Sequence, residues 1–158
     1  MVNKLLVGKV DDNFNWLPLW VHLQDTAGVM KLLLENWIAD ATVESCGMQF
    51  ENFYAIAEFV AATHDIGKAT SYFQAIICKK VPILYDNIVS SGLIVCENML
   101  HRGKTPHSYA GQWILQSDTV SINLPESVAN VIGAHHGAPC PRKTLNGVDD
   151  LLVVYPSN

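Results

Sequence analysis

His64 and Asp65 stand side by side, Gly67-Lys68 follows two residues later, and histidines flank the group: His22 before it, His107 and the pair His135-His136 after it. The chain has six histidines, and five of them fall in these short segments. Neutral imidazole and carboxylate are natural ligands for borderline divalent ions such as manganese, iron, cobalt, nickel or zinc. A carboxylate placed between two ions bridges them at about 3.5–4 Å and leaves positions open for water and a phosphate oxygen. Such a pair activates water near neutral pH and stabilises charge on attacking and leaving oxygens. Lys68, one turn past Asp65, is placed to bind a phosphate or assist proton transfer. The chemistry implied is phosphodiester hydrolysis by two-metal catalysis.

Helices must bring these residues together. The spacing predicts a first helix over about residues 17–37, with Pro18 in its first turn, where no amide hydrogen is required. Its apolar stripe is Leu19, Leu23, Met30, Leu34 and Trp37, and His22 and Asp25 lie three apart on the flank. A second helix is predicted from Asn52 to His64, with Phe53, Ile56, Ala57 and Val60 leading along one face to His64. Gly67 is read as relaxing the backbone behind His64-Asp65. A short helix is expected over Thr70–Lys79, while Ile83–Leu100 is apolar and ambiguous between helix and buried extended chain. His107-Ser108 opens a further helix carrying Ala110, Trp113 and Ile114. The last, Leu124–His136, puts Val128, Val131 and Ile132 on one face, continued by His135, and Gly137 can end it in the left-handed conformation. Helices from separate parts of the chain can deliver four histidines and a carboxylate to the inside of a bundle.

Composition agrees with a compact fold. With 158 residues, 49% of them hydrophobic and 16% charged, the chain suffices for one domain with a real core. No apolar run approaches the roughly 18–20 residues of a membrane span, and no signal peptide is visible, so a cytoplasmic, non-membrane protein is expected. Cys46, Cys78, Cys96 and Cys140 form no C-x-x-C pair and are read as reduced thiols. The net charge of −5 is the wrong sign for a general nucleic-acid glove, so a nucleic-acid contact needs a local patch, a metal or a partner. Arg102, Lys104, Arg142 and Lys143 are the candidates for a phosphate-facing rim, set against a scattered solvated surface. His101 is read as a solvated loop residue and Trp16, Trp20, Trp37 and Trp113 as core.

His64-Asp65-Ile66-Gly67-Lys68 resembles the H-D-x-G-K signature of the HD metallohydrolase superfamily. Leu19–Ala27 (LWVHLQDTA), Thr105–Gly111 (TPHSYAG) and Val131–Gly137 (VIGAHHG) narrow the likeness to the HD nuclease domain of the CRISPR-associated helicase–nuclease of type I systems. The resemblance implies an all-α fold, an HD-domain helical bundle with the metal site between helices, over residues 1–158 as a single domain. It implies metal-dependent cutting of the single-stranded DNA displaced by an RNA-guided surveillance complex, with that complex and the helicase subunit as partners. Carried over by position, His22, His64 and Asp65 bind one metal, and Asp65 bridges to a second held by His107, His135 and His136. Lys68 matches the motif lysine near the scissile phosphate, and Asp25 matches an acid supporting His22. One or two divalent ions (Mn, Fe, Co or Ni, with Zn or Mg also admitted) are implied.

The family's domain usually continues past the His-His-Gly motif and supplies a further Asp. Here the chain ends soon after Gly137, with only Asp149 and Asp150 left as carboxylates, so a domain shortened at its C-terminus and lacking the helicase portion is expected. The alternatives are an HD phosphohydrolase acting on nucleotides and a non-catalytic HD module that binds a partner.

Overall fold

A computed structural model describes residues 4–38, 40–90, 92, 95, 105–117 and 124–141. Among them lie a two-stranded antiparallel ribbon, β1 (Val7–Val10) and β2 (Trp16–Pro18), and seven helices. These are α1 (Leu19–Asn36), α2 (Asp40–Ser45), α3 (Phe50–Thr63), α4 (Ser71–Lys80), α5 (Tyr85–Val89), α6 (His107–Gln116) and α7 (Glu126–Gly133). Short 3-10 turns at Ile66–Ala69 and Pro82–Leu84 lead into and out of α4. The fold class is all-α, as expected, with the ribbon as its one β feature among the described residues.

The ribbon was not anticipated, and it moves the start of the first helix. Trp16, Leu17 and Pro18 pair with Val10, Lys9 and Val7, so Pro18 ends a strand and caps α1 rather than lying in its first turn. Leu19 N–H then donates to Leu6 O at 2.8 Å, holding β1 against the head of α1. The ribbon is closed by Asp11, whose carboxylate accepts from the backbone amides of Asn13 and Asn15 and from the Asn15 side chain. Gly8 sits where an added Cβ would lie 3.2 Å from His22 Cβ, so the strand backs directly onto the first histidine.

Two main apolar clusters flank the centre of the molecule. One joins Leu6, Val7 and Leu19 to Ile77, Cys78, Val81, Leu84 and Ile88 from α4, α5 and the turn between them. The other joins Leu115 of α6 to Ala129 and Ile132 of α7, with Phe59 and Val60 of α3 packed against them. Ala69 packs on the first cluster and Ile66 on the second, so the 66–69 turn straddles both. Each large side chain fully buried in these clusters contributes about 1.5–3 kcal/mol, and the turn is tied to both through its partly buried Ile66 and Ala69.

Several side chains depart from their expected faces. Trp37 is 80% exposed because α1 stops at Asn36, and Trp37 leaves the helical register with φ −130°. Val131 is exposed, and α7 buries Ala129, Ile132 and Gly133 instead. Ile56 is likewise exposed on α3. Of the ambiguous stretch 83–100, the described part is a 3-10 turn followed by α5. His101, Arg102, Lys104, Arg142, Lys143, Cys96, Asp149 and Asp150 lie outside the described residues. Cys78 and Cys140 are buried free thiols, and burial pushes both pKa values up, which keeps them unreactive. No described helix is long and apolar enough to cross a membrane.

Candidate metal centre

The four segments that carry the candidate ligands all lie at helix ends or in the first turn or two of a helix. His22 is one turn into α1, His64 caps α3, His107 is the first residue of α6, and His135-His136 follow α7. Asp65 leads into the 66–69 turn and is buried. Their convergence depends on a close approach of two backbones. A Cβ on Gly67 would lie 1.9 Å from His107 O and 2.5 Å from Gly111 N, so only glycine lets α6 seat against the turn. Gly67 is absent from the positive-φ residues, which corrects its expected role: it admits a neighbour and does not relax the backbone.

The two oxygens of Asp65 face two sets of partners. Oδ2 lies 2.7 Å from His22 Nε2, 3.2 Å from His64 Nε2 and 2.7 Å from Lys68 Nζ. Oδ1 lies 3.0 Å from His107 Nε2 and 3.2 Å from His135 Nε2. His136 Nε2 joins this second set at 3.0 Å from His107 Nε2. Lys68 is held over the Phe73 ring, and the same ring packs edge-on against His107.

Hydrogen bonding fixes which nitrogens face inward. His64 Nδ1 donates to Ala61 O at 2.8 Å, and His135 Nδ1 donates to Ile132 O at 2.7 Å. A carbonyl only accepts, so each Nδ1 carries the proton and each neutral ring turns a bare Nε2 lone pair toward Asp65. This is the tautomer and the backing bond that metal-ligating histidines use. Burial pushes the His135 pKa down, against the Ile132 bond and the Asp65 charge, and so keeps its ring neutral. The bond to Asp65 raises the pKa of His64 against the effect of burial, since a proton on Nε2 relieves the lone-pair clash there. Burial acts to raise the Asp65 carboxyl, but hydrogen bonds from His107, from His64 once its Nε2 is protonated, from Lys68 and from His22 together outweigh it and hold it well below the usual carboxylate range.

Protons alone serve this arrangement poorly. Three Nε2 atoms and one carboxylate oxygen gather around one point, and pairing them all by protonation would place imidazolium charges side by side. The donor set suits divalent cations instead. Two groups among the described residues have ligand atoms close enough to hold an ion: Asp65 with His107, His135 and His136, and His22 with His64 and Asp65. Asp65 belongs to both.

Seven of the eight site residues named from the motifs meet here: His22, His64, Asp65, Lys68, His107, His135 and His136. Asp25 does not join them; it is exposed and has no hydrogen bond or ion pair with His22. Three supporting residues were missed. Thr70 caps α4 by accepting from Phe73 N–H and donates to Gly67 O, which pins the turn; a threonine directly before a helix signals such a cap. Gln74, fully buried, pairs with both backbone groups of Val7 and donates to Lys68 O. Gln112 joins α6 to α7. A glutamine in a helix carries no comparable signal.

Comparison with known proteins places this geometry. The family model described as "Cas3, HD domain" matches residues 8–152. The chain is 32% identical over 169 residues to the CRISPR-associated nuclease/helicase Cas3 of Streptococcus thermophilus; the match covers 90% of this chain and 16% of that protein. The chain thus spans about a sixth of this relative's length. No solved structure matches the chain significantly. Since the family model covers nearly all of the sequence, the chain belongs to the Cas3 HD-domain family.

Proposed function

We propose that the chain is a metal-dependent phosphodiesterase that cuts single-stranded DNA in type I CRISPR interference. The observation that carries this reading is the shared carboxylate: each oxygen of Asp65 faces a different group of histidines. His22, His64 and Asp65 would hold one divalent ion, and Asp65, His107, His135 and His136 a second. Such ions supply water activation and neutralise charge at the phosphate. Manganese, iron, cobalt or nickel are the ions this reading assigns, with zinc or magnesium admissible; the imidazole donors favour iron, nickel and zinc, and the shared carboxylate admits manganese and magnesium.

The protein's own contribution is orientation and charge. The Nδ1 bonds of His64 and His135 to backbone carbonyls fix both rings. Lys68, mostly buried and tied to Asp65 Oδ2, keeps a cation at the edge of the centre, where it can donate to a phosphate oxygen. His136 is exposed, so this edge of the centre is open to solvent. An open edge suits a strand laid across the ligands better than a mononucleotide enclosed in a pocket. The Streptococcus relative is a nuclease/helicase by name, which supports a nucleic-acid substrate. A helicase subunit and an RNA-guided surveillance complex are the partners this role implies.

The test is cleavage of end-labelled single-stranded oligonucleotides by the folded chain with manganese, cobalt or nickel, with Asp65→Asn as control. Metal-dependent cleavage lost in the variant is expected. Inert oligonucleotides with turnover of a mononucleotide would instead identify an HD phosphohydrolase of small substrates. No bound metal and no cleavage would leave a non-catalytic binding module.

A further inference from the structure

The His135-His136 pair lies outside regular structure, yet two of the six proposed metal ligands depend on where it sits. It occupies the turn after α7, closed by Gly137 N–H donating to Ala134 O at 2.6 Å. One buried side chain grips this segment from both sides. Gln112 on α6 donates through Nε2 to Asn130 Oδ1 of α7 at 2.7 Å, and its Oε1 accepts from Cys140 N–H at 2.9 Å. The same Oε1 occupies the place a Cβ would take on Gly133, 1.9 Å from it, so α7 ends tight against the glutamine amide. Gln112 is 2% exposed. It also shares α6 with His107, the third histidine of this half of the centre.

We propose that Gln112 is the positioning residue for the three-histidine half of the centre: its amide sets His135 and His136 against His107, while His22, whose ring meets His64 and neither of that pair, keeps its place. Both ends of the histidine turn, Asn130–Gly133 before it and Cys140 after it, are registered to α6 through this one amide. Rotation or loss of the amide frees the turn relative to His107 without touching a ligand. What backs His22 and His64 lies elsewhere: the Gly8 backbone of β1 behind His22 and the Ala61 carbonyl of α3 beneath His64. The inference rests on the two-metal reading only where metal is the readout, so its test carries two readouts.

The first readout is the set of imidazole nitrogen NMR signals of the metal-free full chain. In Gln112→Ala, and more mildly in Asn130→Ala, the His135 and His136 signals should shift or broaden, those of His64, edge-on to His135, should move less, and those of His22 should stay in place. Asn130→Asp, which retains the oxygen that accepts from Gln112, should restore the wild-type pattern. The second readout is cobalt titration followed by absorption and calorimetry, with the two steps assigned by His22→Ala and His107→Ala. Gln112→Ala should weaken the His107-dependent step by about 10–100-fold and leave the other within twofold. Equal perturbation of all four histidines, or unmoved His135 and His136 signals, overturns the proposal. Should Gln112→Ala fail to fold, Asn130→Ala against Asn130→Asp makes the same comparison from a half-buried position. If the NMR pattern appears but wild type binds no cobalt, the metal reading fails and the positioning role stands.

Discussion

Replacing Gly67 by alanine isolates the close approach that assembles the centre. An alanine Cβ at this position would meet His107 O at 1.9 Å, Gly111 N at 2.5 Å and His107 C at 2.9 Å, all backbone atoms that cannot swing aside. Ordinary contact begins at 3.4 Å, so α6 and the 66–69 turn must separate by about 1.5 Å. Overpacking of this kind costs about 1–3 kcal/mol. The functional effect should be larger than the stability effect, because His107 rides on the displaced helix and Asp65 Oδ1 lies only 3.0 Å from its Nε2. A misplacement of about 1 Å at reacting groups can cost on the order of 100-fold in rate. Thermal melting, cobalt titration and oligonucleotide cleavage measure the three consequences on one sample. Gly47→Ala is the contrast: φ there is +65° with nothing within 4 Å, so it should cost about 1 kcal/mol and leave metal binding alone. Wild-type melting and metal affinity in Gly67→Ala would refute the reasoning. So would equal losses of metal affinity in the two variants.

Two further predictions follow from the buried polar groups. Gln74→Leu leaves Val7 N–H, Val7 O and Lys68 O without their side-chain partner, and should destabilise the fold by about 3 kcal/mol in denaturant unfolding. Metal should change the pH dependence of stability, to which His64 and His135 contribute with opposite signs in the metal-free protein. In the metal-free protein the His64–Asp65 pairing is fully present below pH 6.5 and fades as pH rises through the raised pKa of His64. The Asp65 contribution is present above pH 3.8 and is lost as pH falls from there. Metal must displace the proton on His64, so the metal-induced rise in Tm should grow with pH above 6.5, with protons released on binding in calorimetry.

The side chains that converge on Asp65 were legible in the sequence because each histidine sits in a short motif at or near a helix end. There the spacing of apolar residues locates the helix, and the motif locates the turn. The ribbon was not legible: Val7–Val10 is short and half buried, and Pro18 suits the first turn of a helix as well as the end of a strand. Trp37 looked like core because the apolar period runs through it, but periodicity does not say where a helix stops. On α7, Val131 outranks Ala129 in hydrophobicity, yet packing against α6 selects the small residue. Gln74 and Gln112 were invisible for a different reason: the value of an amide depends on partners 67 and 28 residues away. Gly67 was flagged for the wrong property, since a close approach leaves no local trace in the chain.

The central claim is that Asp65 joins two ions, and anomalous scattering from crystals grown with manganese or cobalt tests it most directly. Two anomalous peaks are expected, one among His22, His64 and Asp65 and one among Asp65, His107, His135 and His136, about 3.5–4 Å apart with Asp65 between them. A single peak, or peaks away from Asp65, would contradict it.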